Sequence, residues 1–228
     1  MTTIQDNIDA VKKQINETAL ACGRDPESIT LIGVSKRKSA DRVFKAIEAG
    51  STHLGENYIQ EAVDKIETLG KTSACWHFIG HLQSNKAKFA VRYFDYIHTV
   101  DTVKLAREID RQAAKIGKVQ KILLQINIAK EETKSGAGAK DAISLAREFS
   151  GFENLSLDGL MCMPPFFSDP EDARIYFKRL GMIQGEIREA GLEKLVHLSM
   201  GMSNDFRVAI EEGSTMVRVG TAIFGGRD

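Results

Sequence analysis

The chain has 228 residues, 43% of them hydrophobic, which is enough to bury a full core as one large domain or two small ones. Lysine plus arginine and aspartate plus glutamate both number 31, so the formal net charge is zero and the basic footprint of a nucleic-acid binder is missing. Three widely spaced cysteines form neither a disulfide framework nor a ligand-spaced cluster, as in a reduced, cytoplasmic protein.

The amino terminus is charged and amphipathic, without the apolar stretch of a signal peptide, and no apolar run is long enough for a membrane span. Ile4, Ile8, Val11 and Ile15 recur at helical spacing and predict a first helix ending near the Gly23-Arg24-Asp25-Pro26 turn. Eight apolar runs follow, at 29–35, 52–55, 76–80, 96–100, 121–128, 157–163, 195–201 and 216–220. Segments that can be helical separate them, among them 39–49, 57–69, 101–115, 139–149, 171–190 and 203–212. Apolar strands alternating with amphipathic helices mean βαβ units and a parallel sheet buried on both faces. Eight units predict an α/β fold of the (β/α)8 TIM barrel type, with 1–228 as a single domain. A doubly wound open sheet is the alternative, but "SKRKS" follows the first strand where a GxGxxG fingerprint would stand.

In a TIM barrel the chemistry gathers at the carboxyl ends of the strands. The last two loops carry the most information. "LSMGMSND" offers Ser199, Gly201 and Ser203 before a helix, and "VRVGTAIFGG" places Gly220 and Thr221 at a strand end. Glycines admit a close ligand, and hydroxyls and free N–H groups donate to an anion, so these loops are candidates for phosphate. Taken singly, each loop reads first as turn glycines and helix-capping serines; taken together, at the two places where barrels hold phosphate, the binding reading leads.

Closure would set strand 8 beside strand 1, where neighbouring strands lie ~4.8 Å apart. A phosphorylated ligand in the last loops would then reach Lys36 at the end of strand 1. A phosphate, a reactive carbonyl and a lysine together describe pyridoxal 5′-phosphate (PLP) held as a Schiff base. Arg37 and Lys38 are read as solvated surface charges. Arg218, two residues before Gly220, shares its face; inside a barrel it must meet either a ligand or an acid such as Glu56. Opposite a pyridine nitrogen, a permanently protonated guanidinium would keep that nitrogen unprotonated.

His77 and His81 are four apart, but no HExxH pattern or third ligand accompanies them, so a structural role and no metal site are expected. "SGAGAK" (135–140) is too short for a P-loop and reads as a flexible approach to a helix. "KEETK" (130–134) is a charge run, and Cys75 and Cys162 are core thiols.

The segments "VSKRKSA", "HLGENYIQEA", "WHFIGHLQSNKAK", "LLQINIAKEETKSG", "LDGLMCMPP" and "LSMGMSNDFRVAIEEGSTMVRVGTAIFGGRD" closely resemble the pyridoxal phosphate homeostasis protein family, single-domain relatives of the alanine racemase amino-terminal barrel. The likeness runs from about residue 4 to the end. It implies a fold-type III PLP barrel with Lys36 as the Schiff-base lysine, Asn57 in the cofactor pocket and Arg218 facing the pyridine nitrogen. Ser199, Ser203, Gly220 and Thr221 would hold the phosphate. It further implies a monomeric PLP carrier acting in PLP and amino and keto acid homeostasis, handing cofactor to PLP-dependent apoenzymes, with no catalytic residue. The alternative is a racemase-like PLP enzyme. That reading needs a second base, for which Tyr58 is the nearest internal candidate, and the chain ends directly after strand 8, where the racemases resembled continue into a further domain.

Overall fold

The apolar runs form strands because each can bury both faces, one against helices and one inside a closed barrel. In the computed structural model, which describes residues 2–129 and 135–226, the strands are β1 (Thr30–Val34), β2 (His53–Glu56), β3 (Cys75–Phe78), β4 (Tyr96–Val100) and β5 (Gln120–Asn127), then a two-residue β6 (Ala137–Gly138), and β7 (Leu155–Met161), β8 (His197–Met202) and β9 (Met216–Val219). Their order is β4-β3-β2-β1-β9-β8-β7-β5, and pairing of β4 with β5 closes the ring. All pairs are parallel, and the result is the (β/α)8 TIM barrel, not the open sheet. β6 lies outside the ring, paired to the end of β5. The segment read as a flexible approach is therefore partly strand. "KEETK" lies outside the described residues.

The helices are α1 (Ile4–Ala21), α2 (Ala40–Glu48), α3 (Ile59–Leu69), α4 (Ala87–Tyr93), α5 (Val103–Ala114), α6 (Ala142–Ser150), α7 (Arg174–Glu189), α8 (Phe206–Glu211) and α9 (Thr221–Phe224). A capping box starts α1: Thr3 Oγ1 accepts from the Asp6 amide, and the Asp6 carboxylate accepts from the Thr3 amide. Its buried stripe of Ile8, Val11, Ile15 and Ala19 packs with Phe206, Ile210, Val217 and Ile223. Two predicted helices begin late. Residues 203–205 form a turn in which Asp205 Oδ1 accepts from the Met202 amide at 2.6 Å, and Ala139–Asp141 is a 3₁₀ turn before α6. Among the described residues, no helix is long and apolar enough to cross a membrane.

Two packing zones differ in character. Between sheet and helices lies a large apolar layer that includes Trp76, Phe78, Phe94, Phe149 and Phe177. Inside the barrel the apolar cluster is small: Ile32, Tyr96, Leu123, Met161 and Met216. Buried polar side chains, among them His77, His98, Ser199 and Arg218, share that interior. Gly159 sets how closely β7 and β8 approach, since a Cβ there would stand 2.0 Å from the His197 carbonyl oxygen. Gly159→Ala forces the two strands apart and should cost at least about 2 kcal/mol of stability, read as a lowered urea midpoint with the denaturant slope unchanged.

Candidate functional site

β1 ends at Val34, but the Ser35 amide still donates to the Gly55 carbonyl at 3.0 Å, so the chain stays extended to the lysine. Val34 is level with Gly55 on β2. Lys36 then enters a turn closed by the Lys38 amide on the Ser35 carbonyl at 3.1 Å, Asn57 directly follows β2, and both stand half-buried at the mouth. The backbone then turns sharply: Arg37 has φ 60, left-handed for a residue with a Cβ. A buried network compensates. Lys65 Nζ donates to the Ser35 carbonyl and to Glu56 Oε1, both at 2.8 Å, and Ser35 Oγ donates to the same carboxylate at 2.6 Å. Glu61 accepts from both Lys65 and the Arg37 amide. Burial raises the Glu56 pKa from its ordinary value, and the Lys65 ammonium opposes the rise.

Asn57 is held from the other side, where Gly80 abuts it so closely that a Cβ would sit 2.0 Å from the Asn57 carbonyl oxygen. Asn57 Oδ1 is buried with no hydrogen-bond partner among the described residues. An orphaned acceptor at the mouth calls for a ligand donor.

The loops after β8 and β9 meet. Ser203 Oγ accepts from the Gly220 amide at 3.2 Å, and a Cβ on Gly220 would lie 3.4 Å from Val34. Closure thus brings residues 203 and 220 beside the end of β1, as predicted. Gly201 has φ +92, and a Cβ there would stand 2.6 Å from that of Ala209, so only glycine lets α8 pack this close under the loop. Thr221, exposed, starts α9.

Arg218 is enclosed in the barrel at 5% exposure, level with Ile32 of β1 and Met202 of β8. Its Nη1 donates to Ser199 Oγ at 2.6 Å and its Nη2 to the Cys162 carbonyl at 3.0 Å. Burial lowers its pKa, opposed by Cys162 and Asp205, yet a guanidinium stays charged. The acid partner suggested for it, Glu56, is instead committed to Ser35 and Lys65. Ser199, expected among the phosphate ligands, is fully buried below the loops and holds Arg218. It also contacts His98 Nδ1 at 2.9 Å.

Other expectations need correction too. Lys38 is no solvated bystander: it is 8% exposed, and its Nζ donates to the Gly226 carbonyl at 2.7 Å, tying the segment after α9 to the start of α2. Arg37 is exposed, as expected, with its guanidinium over the Tyr58 ring. Tyr58 itself is 47% exposed on the rim. His77 and His81 diverge, the first buried in the barrel and the second bonded to Ser135 Oγ at 3.0 Å. Cys75 and Cys162 are both pushed up to about 12, chiefly by burial, whereas Cys22 is exposed. Sequence reasoning missed Ser35, Lys65 and Glu61 around the lysine turn. It expected a structural role for His77 but missed its companions His53 and His98 inside the barrel. The Glu61–Lys65 spacing of four on a helix was a usable signal; for the histidines, on three different strands, alternation gives the inward face but not which of them touch.

The parallel barrel is the fold of the alanine racemase amino-terminal domain, and the model of that family matches residues 3–228. The chain is 43% identical over 237 residues to a pyridoxal phosphate homeostasis protein of Escherichia coli (strain K12), covering 100% of this chain and 98% of that one. To its counterpart in Vibrio alginolyticus it is 41% identical over 232 residues, covering 100% and 99%. PipY of Synechococcus elongatus PCC7942, solved with PLP bound, superimposes with a TM-score of 0.82 at 36% identity, over 92% of this chain and 100% of that one. The alanine racemase of Corynebacterium glutamicum shares the fold at 15% identity and a TM-score of 0.69, over 95% of this chain and 60% of that one. The chain belongs to the pyridoxal phosphate homeostasis protein family.

Burial, followed by neighbouring histidines, holds the His77 and His98 pKa values well below the ordinary range. Both are therefore neutral in the folded chain, while the unfolded chain takes up protons near pH ~6.5. Stability is fully present above that pH and falls as the pH drops, because the unfolded state then binds more protons. Between pH 6 and 5, urea unfolding should show a loss approaching about 1.4 kcal/mol per pH unit for each of the two, and His98→Phe should make that slope shallower.

Proposed function

We propose that this protein binds PLP at the carboxyl mouth of the barrel, held as a Schiff base on Lys36, and acts as a reversible carrier in intracellular PLP and amino and keto acid homeostasis. The observation that carries the reading is the convergence of four features at one mouth: the half-buried Lys36, the orphaned Asn57 Oδ1, the enclosed Arg218 and the touching Ser203–Gly220 loops. The residues fit the group: two backbone glycines that admit a close approach, hydroxyls and amides for a phosphate, and a donor for a ring nitrogen. PLP supplies a reactive aldehyde for the amine.

Each residue then has a task. Ser203, Gly220 and Thr221 would hold the phosphate, with amides and hydroxyls donating to its oxygens. Arg218 would donate to the ring nitrogen, and its permanent charge would keep that nitrogen unprotonated, a state suited to storage more than to carbanion chemistry. Ser199 serves by holding Arg218. Asn57 presents its acceptor beside the lysine. The Ser35–Glu56–Lys65 network fixes the turn from which Lys36 projects. Tyr58, on the rim with its hydroxyl 3.4 Å from Arg37, supports a carrier above a racemase. A cytoplasmic monomer that delivers cofactor to PLP-dependent apoenzymes completes the proposal.

Purified protein mixed with PLP should develop a visible absorption band, and borohydride should fix the cofactor on Lys36 alone. Lys36→Ala should abolish both, and a band that survives this change sinks the Schiff base. Ser203→Asp places a second anion against the phosphate and should weaken retention in dialysis at least about tenfold. Unchanged retention removes Ser203 from the phosphate site.

A further inference from the structure

A continuous line of hydrogen bonds leaves Arg218 and crosses the barrel toward its amino-terminal end. Arg218 Nη1 donates to Ser199 Oγ at 2.6 Å. Ser199 Oγ lies 2.9 Å from His98 Nδ1, His98 Nε2 lies 2.9 Å from His77 Nδ1, and His77 Nε2 lies 2.9 Å from His53 Nδ1. Ser199, His77 and His98 are fully buried, while His53, the first residue of β2, is half-buried. The rings are fixed by packing: His77 stacks on Tyr96 at 4.9 Å between centroids and 7° between planes, and meets His98 edge-on.

The direction of these bonds follows from their upper end. A guanidinium only donates, so Ser199 Oγ must accept from Arg218. Were His98 Nδ1 also to donate to it, the serine hydrogen would be left buried without an acceptor, at a cost of roughly 1–3 kcal/mol. The hydroxyl therefore donates to a bare His98 Nδ1. His98 must then carry its proton on Nε2 and donate to His77 Nδ1, and His77 repeats the pattern toward His53. We infer that His53, His77 and His98 form an oriented relay, each neutral and protonated on Nε2, that positions Arg218 through Ser199 and couples it to the protonation state of His53 at the opposite end of the barrel.

A proton added to His53 Nδ1 turns that atom from acceptor to donor. His77 must then accept on Nε2 and shift its own proton to Nδ1, and His98 must do the same. The protons balance: His53 gains the added one and carries two, His77 and His98 each keep one, now on Nδ1, and the directions of the bonds between the rings reverse. Ser199 then receives donors from both sides, and its hydrogen has to leave its place in the chain. The guanidinium would thus be held differently in the two states, with the ligand's ring on its other side.

The groups around His53 set where this happens. Cys75 of β3 lies within 4.8 Å of both His53 and His77. Asp95, before β4, favours the charged His53, while burial, the larger influence, disfavours it. Lys121 of β5, against Tyr96 of β4, and His197 of β8, beside Asp158 of β7, also face this end, and Lys121 and His197 disfavour charge on His77. The switch is therefore expected below the ordinary histidine pKa of ~6.5.

The positioning role rests on the PLP reading, but the relay itself can be tested without cofactor. The chain has five histidines, so long-range proton–nitrogen spectra of the PLP-free protein can resolve each ring. At pH 8, His53, His77 and His98 should all carry hydrogen on Nε2 and none on Nδ1. On acidification His77 and His98 should move to the Nδ1 form in step with His53 while staying neutral. A proton on His98 Nδ1 at pH 8 overturns the inference, as does titration of His53 that leaves the other two tautomers unmoved. So does stoichiometric zinc uptake that dissolves the His53–His77 bond, which would make His53, Cys75 and His77 a metal centre.

With PLP bound, the position of the visible band should shift with pH at the His53 midpoint. His77→Phe keeps a ring on Tyr96 but removes both nitrogens. It should abolish that shift and weaken PLP retention by about fivefold, the equivalent of one net hydrogen bond. An identical shift in the variant overturns the coupling. Absence of any band in the wild type counts against PLP binding alone, since the tautomer spectra are recorded without it.

Discussion

Enclosing a guanidinium inside the barrel is the constraint on which the other arrangements depend. A buried charge is tolerated only when hydrogen-bonded with good geometry. Arg218 meets a hydroxyl and a backbone carbonyl, Ser199 Oγ and Cys162 O, each a neutral acceptor. Because the acceptors are neutral, the positive charge is not cancelled on the spot, and its field extends toward the mouth. The same choice obliges Ser199 to dispose of its own hydrogen, and so fills the interior with imidazoles where a typical barrel stacks branched apolar side chains.

The second organising feature is the turn at Lys36. A left-handed Arg37 costs of the order of 1–2 kcal/mol, which the Glu56–Lys65–Glu61 group offsets by gripping the carbonyl before the lysine and the amide after it. The buried ion pair therefore gives precision of placement. Replacing it with apolar residues of equal volume could leave the barrel as stable, yet would free the turn.

Much of this was legible in the chain. Eight apolar runs with helical segments between them determined the barrel, and closure alone explains why Lys36, Ser203 and Gly220 come together from opposite ends of the sequence. The boundaries of α6 and α8 were less legible, because a 3₁₀ turn and the Asp205–Met202 bond set them after the apolar pattern had begun. The interior was least legible. Strand alternation says that His53, His77, His98, Ser199 and Arg218 face inward, but which inward residues touch depends on the stagger between strands, and that register is absent from any single segment. The mistaken partner for Arg218 has this origin: Glu56 lies near the same mouth, but its carboxylate is committed on the far side of the β1–β2 pair to a lysine nine residues later on α3. Lys38 was misjudged for a related reason, since its acceptor is the Gly226 carbonyl at the other end of the chain.

The disposition of the three thiols has a practical consequence. Cys75 and Cys162 are shielded and hold their protons up to about pH 12, which leaves few thiolates for an alkylating probe. Cys22, exposed just past the end of α1, is open to modification. A fluorophore or spin label applied to the unmodified sequence would therefore settle at one defined place. Because Cys22 leads through a short turn into the start of β1, such a label would sit at the amino-terminal end of the barrel and leave the mouth open, on a helix that packs against α8 and α9.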